Sequence, residues 1–198
     1  MMKKIKNWYK AAKSVVLSPK HFFTKIVADG DMEECMLKAF MYGLIGGLMV
    51  LVLRLIGGAS ITLSSVFSAI IVVPVLAVAL LFVMGGLMML VSEITGGERD
   101  WEIAIKGLAS VFFIYPVILV LNALAFNCAS MWVISLIGDI YILFLFYNIA
   151  LYCMRGQRIS VIIVVSIFVI ALLSVYLTNY HLGWFMLKNT GAALSCLL

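Results

Sequence analysis

One acidic residue, Asp139, lies near the middle of a long apolar stretch, where a carboxyl group could do chemistry. A charged carboxylate at the centre of a bilayer costs about 2.5–3.5 kcal/mol on insertion scales, so Asp139 is expected to face other helices rather than lipid. Three states are open to it. The carboxyl group is protonated, or it hydrogen-bonds Asn122 or Tyr115, or it lines a polar cavity that handles protons or cations. The first two roles are structural and the third is functional.

Side chains with the spacing of a catalytic or metal site do not occur elsewhere in the sequence. His21 lies in the N-terminal region and His181 near the other end, and HExxH, GxSxG and P-loop motifs are lacking. Four acidic residues cluster in one loop, as is typical of a solvated surface; partner binding or contact with a basic tail is the alternative. They are Glu93, Glu98, Asp100 and Glu102. The sequence therefore predicts a protein that is not an enzyme and needs no cofactor or metal.

Five apolar blocks carry these residues, in a chain that is 65% apolar with a mean hydropathy of +1.19. Each block is long enough to cross a hydrocarbon core of about 30 Å as a helix. Continuous rather than alternating apolar residues exclude a transmembrane barrel, and helices satisfy their own backbone groups in lipid. The blocks are Met36–Leu55, Ser65–Val91, Leu108–Phe126, Ser130–Tyr152 and Ile159–Leu177.

The predicted fold is an all-α, polytopic integral membrane bundle of five transmembrane helices with an N-terminal interfacial amphipathic helix. Residues 1–35 form the basic N-terminal region, 36–177 the five-helix domain and 178–198 a short tail on the outer surface. Gly57–Ser64 is expected to be a loop, Ser92–Gly107 another, and Pro74 a bend in the second helix because proline removes a helical hydrogen bond.

Positive charges are distributed unevenly around the blocks. Of fourteen Lys and Arg, twelve lie in the N-terminal region and first-block entry, in Ser92–Gly107 or in Cys153–Arg158, while Arg54 and Lys188 are on the other side. By the positive-inside rule the N-terminus is cytoplasmic and the C-terminus outside. The predicted location is a bacterial cytoplasmic (inner) membrane, with an ER or Golgi membrane as the alternative.

The N-terminal region is predicted to bind the membrane surface. Its basic residues alternate with an apolar face at helical spacing, and a basic amphipathic helix of this kind lies in the interface. Anionic headgroups attract each basic residue by about 1 kcal/mol, so the net charge of +5 indicates lipid rather than nucleic acid. The residues assigned to the membrane surface are Lys3, Lys4, Lys6, Trp8, Lys10, Lys13, Phe22 and Phe23.

Small residues and short connections predict which helices pack together. Gly43 and Gly47 are four residues apart, a spacing that lets helices approach closely, and could face the small residues from Ser64 to Ala69. Blocks three and four are joined by a very short connection and must form an antiparallel hairpin. That hairpin places Asn122 level with Ser135, and Ile118 level with Asp139.

A motif near the third block resembles the Yip1-domain family of five-span membrane proteins. Gly96 and Gly97 are followed by Ser110-Val111-Phe112-Phe113-Ile114-Tyr115-Pro116, similar to the family's Gly-Gly loop and Ser-aromatic-Pro run. The entry Ser18-Pro19-Lys20-His21-Phe22-Phe23 resembles that of prokaryotic members. Within the motif, Pro116 frees the carbonyl of Phe112, which a neighbouring helix, a serine hydroxyl or water must satisfy.

The resemblance implies a non-enzymatic membrane scaffold or adaptor with a role in membrane organisation or trafficking. The acidic Tyr-Gly-Pro motif and long polar N-terminal region of eukaryotic members are missing, which favours the bacterial branch over binding to trafficking GTPases. Expected partners are the lipid bilayer and other membrane proteins, and a homo-oligomer is left open. The alternative is a small transporter or channel-like protein that uses Asp139 and Asn122 at mid-membrane.

Overall fold

The computed structural model describes residues 13–15, 17, 19–25, 31–57, 60–127 and 132–190, and every element among them is helical. A short helix, α1, is followed by five long ones. Helix α3 contains a π turn at Ser68–Val72, α4 contains a 3₁₀ turn at Phe112–Ile114, and α5 ends in a π turn at Ile149–Cys153. The bounds are α1 Pro19–Lys25, α2 Met32–Ile56, α3 Leu63–Ile94, α4 101–127, α5 132–153 and α6 Arg158–Thr190.

Five of these helices, α2 to α6, are long and apolar enough to cross a membrane. Their outward faces carry large exposed apolar side chains such as Ile56, Val83 and Ile159, as expected of helices that have lipid as their solvent. The helices differ in how many of their residues are buried. In the apolar segment of α4, 56% of the residues are buried, against 6% in that of α6. Helix α4 is therefore the central helix, and α6 the most peripheral.

Glycines of α2 set the closest helix contacts of the bundle. A methyl group on Gly47 would overlap the carbonyl oxygen of Ala69, and one on Gly43 would come within 2.8 Å of the Cα of Pro74. On the other side of α2, a methyl group on Gly46 would lie 3.2 Å from the Cα of Pro116 in α4. The predicted contact between the first two spans is confirmed at Ala69.

Both prolines within the long helices follow turns that depart from α-helical hydrogen bonding. Before Pro74, the N–H of Val73 donates to the carbonyl of Ser68, five residues back, in a π turn. Before Pro116, the N–H of Tyr115 donates to the carbonyl of Phe112, three residues back. The carbonyl that Pro116 frees is thus satisfied by the adjacent backbone, and not by a serine, water or a neighbouring helix.

Helix α2 begins at Met32, four residues before the predicted Met36 and inside the predicted N-terminal region 1–35. Three other predicted boundaries also differ from the structure. Helix α3 begins at Leu63 rather than Ser65, because the side chain of Thr62 accepts the N–H of Ser65 and caps the helix. Helix α4 begins at Trp101, so the predicted loop Ser92–Gly107 is wrong beyond Asp100, whose carboxylate accepts the N–H groups of Glu102 and Ile103.

The third difference concerns the C-terminal tail. Helix α6 continues to Thr190 without a break at Leu177. Its 33 residues correspond to about 50 Å at 1.5 Å per residue, well beyond a hydrocarbon core of about 30 Å. The structure therefore shows no break between the predicted fifth span and the predicted tail up to Thr190, and the position of the tail at the outer surface stays a prediction. Residues 191–198 lie outside the described part of the chain.

Candidate functional site

Two loops meet at one end of the bundle and bond to each other through their backbones. The N–H of Glu98 donates to the carbonyl of Met154 at 2.7 Å, and the N–H of Gln157 donates to the carbonyl of Thr95 at 2.9 Å. We call residues 92–98 and 153–157 together the loop junction. It ties the α3–α4 connection to the α5–α6 connection.

The two family-motif glycines lie in this junction. Gly96 has a φ of +70°, a conformation that glycine adopts without strain. At Gly97 the space is the constraint, because a methyl group would overlap the carbonyl oxygen of Met154 and come within 2.6 Å of the Ser92 hydroxyl oxygen. Glycine is therefore required at one position by conformation and at the next by close packing of the two loops.

Polar side chains complete the junction. The hydroxyl of Ser92, which is fully buried, donates to the carbonyl of Glu98 at 2.6 Å, and that of Thr95 donates to the carbonyl of Ser92 at 3.2 Å. On its surface, the guanidinium of Arg155 lies 2.7 Å from the carboxylate of Glu98. Arg155 has a φ of +53°, which is uncommon for a residue other than glycine.

The acidic cluster of the sequence is engaged within the protein. Glu98 pairs with Arg155, Glu93 with Arg99 at 3.4 Å, and Glu102 with Lys106 at 2.7 Å, while Asp100 caps α4. These exposed pairs are each worth about 0–1 kcal/mol. The cluster organises the helix start and the junction rather than presenting four unpaired carboxylates.

Helix α1 packs against the same end of the bundle. The ring of Phe23 is fully buried, and the carbonyl of Phe23 lies 3.5 Å from the thiol sulfur of Cys153, which donates to it. Lys20 places its ammonium 5.9 Å from the centre of the Tyr152 ring, a cation–π contact. Val15, further towards the N-terminus, is also fully buried.

The residues assigned to the membrane surface differ in how far their side chains are buried. Lys13 is exposed and Phe22 is half-buried, packing edge-on to Phe23 at 5.5 Å between ring centres. Phe23 cannot contact headgroups because its side chain is fully buried, so its assignment to the membrane surface is wrong. The remaining residues of the set, Lys3, Lys4, Lys6, Trp8 and Lys10, lie outside the described residues.

The rest of the family motif lies in the interior of α4, away from the junction. Ser110 donates its hydroxyl to the carbonyl of Gly107 at 2.5 Å, within its own helix. The rings of Phe112 and Tyr115 stack at 5.4 Å, and Pro116 is buried against Gly46. Of these residues, Pro116 contributes to the contact between α4 and α2.

The two polar residues predicted to lie at mid-membrane, Asn122 and Asp139, are on the neighbouring helices α4 and α5. The hydroxyl of Ser135 donates to the side-chain carbonyl of Asn122, which confirms the predicted register of the α4–α5 hairpin. A methyl group on Gly138 would lie 2.8 Å from the side chain of Ile118, one residue from the predicted level. Asn122 is thus engaged between α4 and α5.

Asp139 faces a different neighbour. It lines a cleft of about 410 Å³ whose other walls are apolar side chains of α5 and α6, among them Ile142, Phe168 and Leu172. Asn122 does not line this cleft, and a joint mid-membrane role of Asp139 and Asn122 stays a prediction. No group of three or more His, Cys, Asp or Glu in the described part of the chain is placed to hold a metal.

Several residues of the junction could not be picked out from the sequence. Gly156 is one glycine in a short basic loop. A methyl group added to it would lie 2.7 Å from the hydroxyl oxygen of Thr95. Ser92 and Thr95 are ordinary polar residues at a helix end. The available signal was the shortness of the connection Cys153–Arg158, since the buried backbone groups of a short loop must bond to something nearby.

Comparison of the chain with protein-family models, with curated proteins and with solved structures finds no match.

Proposed function

We propose that this protein is a Yip1-like integral membrane scaffold or adaptor of a bacterial cytoplasmic membrane, which acts without turnover. The observation that carries the proposal is the packing of α1 and both loops of the junction into one surface at one end of the bundle. By the positive-inside rule this end is cytoplasmic. A helix of the basic N-terminal region fixed to a rigid loop surface is suited to holding anionic lipid and a partner side by side.

Charge at this end supports contact with an anionic membrane surface. Lys13, Lys20, Arg155 and Arg158 are all exposed there. Val15 and Phe23 are buried in the bundle, which holds the neighbouring Lys13 and Lys20 near the headgroups rather than free in solution. The position and the charge of these basic residues together indicate an anionic lipid as the partner.

A test uses the full chain in nanodiscs of phosphatidylcholine with or without phosphatidylglycerol. Hydrogen exchange of residues 3–13 should slow when the anionic lipid is present, and lose that response when Lys3, Lys4, Lys6, Lys10 and Lys13 are changed to Gln. The variant Arg54→Gln, which removes a charge from the opposite end, should respond as the wild type does.

The adaptor role needs a second readout, in cells. The five-lysine variant should change the distribution of the tagged protein or the set of membrane proteins that cross-link to it, while its thermal unfolding stays unchanged. A chain that keeps both its distribution and its cross-links after this change, or after deletion of residues 1–12, would contradict the scaffold proposal.

A second candidate function is a small transporter, favoured by the position of Asp139 in its cleft. In liposomes, this function requires a proton or solute flux that Asp139→Asn abolishes. Glu98→Gln, the same change outside the apolar core, serves as the control. Liposomes that stay tight under proton and cation gradients would rule the transporter out.

A further inference from the structure

An apolar groove runs between α5 and α6. It consists of two cavities of about 100 and 410 Å³ that share Leu143 and Phe168. Met84 and Met88 of α3 form the floor of the first cavity, and Asp139 lies in the second. Apart from Asp139, every lining side chain is apolar. We call the two cavities together the α5–α6 groove.

The groove is long and narrow. On α6 it extends from Val164 to Val175, and on α5 from Ala150 to Asp139, which is about 16 Å along each helix at 1.5 Å per residue. The first cavity is lined by apolar side chains alone, and such a cavity does not hold ordered water, because water needs two to four polar partners. The groove therefore fits an elongated apolar occupant, and a bilayer supplies acyl chains of that form.

Beyond one end of the groove lies the positive charge of Arg158, which no described acidic side chain neutralises. Arg158 begins α6 seven residues before Val165 and fourteen before Leu172, so it lies on the same side of the helix as these two lining residues. Nearby, the guanidinium groups of Arg99 and Arg155 pair with Glu93 and Glu98. Arg158 is exposed and makes no ion pair with any described residue.

We propose that the α5–α6 groove binds one acyl chain of an anionic membrane phospholipid, whose phosphate group pairs with Arg158. The chain lies along Val165, Phe168 and Leu172, and replaces the side-chain contacts that α6 otherwise lacks. Helix α6 is the least buried of the five long helices, so a bound chain completes its packing against α5. This inference is independent of the scaffold function.

The test is native mass spectrometry of the full chain released from nanodiscs that contain phosphatidylglycerol and phosphatidylcholine in equal amounts. The wild type should retain one phospholipid, preferentially phosphatidylglycerol. Arg158→Gln should reduce that preference about fivefold, the effect of one basic residue at a headgroup. Arg99→Gln, which removes the same charge from an arginine that is already paired, should keep the wild-type preference.

Two matched tryptophan substitutions on α6 test the apolar wall of the α5–α6 groove. Leu172→Trp fills the groove and should abolish retention of either lipid, while Leu173→Trp, at the adjacent exposed position, should leave it intact. Far-UV circular dichroism verifies that both variants fold. Equal retention in Leu172→Trp and Leu173→Trp, a wild type that retains no lipid, or a change of oligomeric mass instead of lipid mass in Leu172→Trp would each overturn the proposal.

Discussion

Gly97 lies in close contact between the two loops of the junction, and the carbonyl oxygen of Met154 and the hydroxyl oxygen of Ser92 lie close to where its Cβ would be. The neighbouring carbonyl of Met154 belongs to the backbone and accepts the N–H of Glu98, so it cannot move aside without losing that hydrogen bond. Adding a single methyl group at Gly97 therefore tests whether the loop junction stabilises the bundle.

We expect Gly97→Ala to destabilise the protein by about 1–3 kcal/mol, the usual effect of forcing a group into packed space. Thermal unfolding in detergent measures it. Gly86→Ala is the control, because a methyl group there would lie an ordinary 3.7 Å from the Trp101 ring. If both variants unfold at the same temperature, the close approach of the loops at Gly97 is not a constraint on stability.

The hydrogen bond between Ser135 and Asn122 gives a second prediction at the residue scale. Such bonds between helices in membranes contribute about 0.6 kcal/mol on average and up to about 1.7 kcal/mol. A double-mutant cycle of Ser135→Ala and Asn122→Ala, followed by unfolding in a denaturing detergent, should give a coupling energy within that range. Fully additive effects would mean that the two side chains do not interact.

At the scale of the elements, α2 is the helix on which α3 and α4 pack, and its glycines permit both contacts. Gly47 faces the carbonyl group of Ala69, which is rigid backbone. Gly46 faces the end of the Leu119 side chain, which can rotate away, although the Cα of Pro116 is also near.

Gly47→Ala should therefore destabilise the bundle more than Gly46→Ala, by about 1 kcal/mol or more, since a flexible side chain relaxes where backbone does not. Titration with a denaturing detergent, monitored by circular dichroism, compares the two variants directly. Equal losses would indicate that α4 is held against α2 as rigidly as α3 is.

Apolar length and helical spacing were enough to predict the five long apolar helices, the antiparallel α4–α5 hairpin and its register. The start of α4 was missed because Glu102 and Lys106 were interpreted as loop charges, whereas they pair across one helical turn after the Asp100 cap. Charge alone does not distinguish a solvated loop from the first turns of a helix.

The candidate site was less predictable than the fold. Gly96 and Gly97 stood out as a motif, but their partners Met154 and Gly156 lie almost sixty residues away, and local patterns do not reveal such pairing. Asp139 was recognised as an intramembrane carboxyl group, yet its neighbours on α6 depend on how α6 rotates against α5. That rotation is set by packing and not by the sequence of either helix alone.

At the scale of the whole molecule, an odd number of membrane crossings would place the two ends of the chain on opposite sides of the membrane. If α2 to α6 all cross, a reporter fused after Gln157 and one fused after residue 198 lie on opposite sides. From the positive-inside rule we expect the first reporter to be cytoplasmic.

We expect alkaline phosphatase, which is active only outside the cytoplasm, to be active when fused after residue 198 and inactive after Gln157. A fluorescent protein that matures only in the cytoplasm should give the reverse pattern. The same activity at both positions would show that α6 does not cross, despite its length.

The loop junction also has a consequence for biogenesis. The hydrogen bond from Glu98 to Met154 and the ion pair from Glu98 to Arg155 join chain positions that are synthesised far apart in time. A ribosome-bound chain that has delivered α2, α3 and α4 to the membrane still lacks the second loop. The junction forms only after α5 has been inserted and its connection to α6 has emerged. A formed junction therefore indicates that the hairpin of α4 and α5 was inserted in the correct direction.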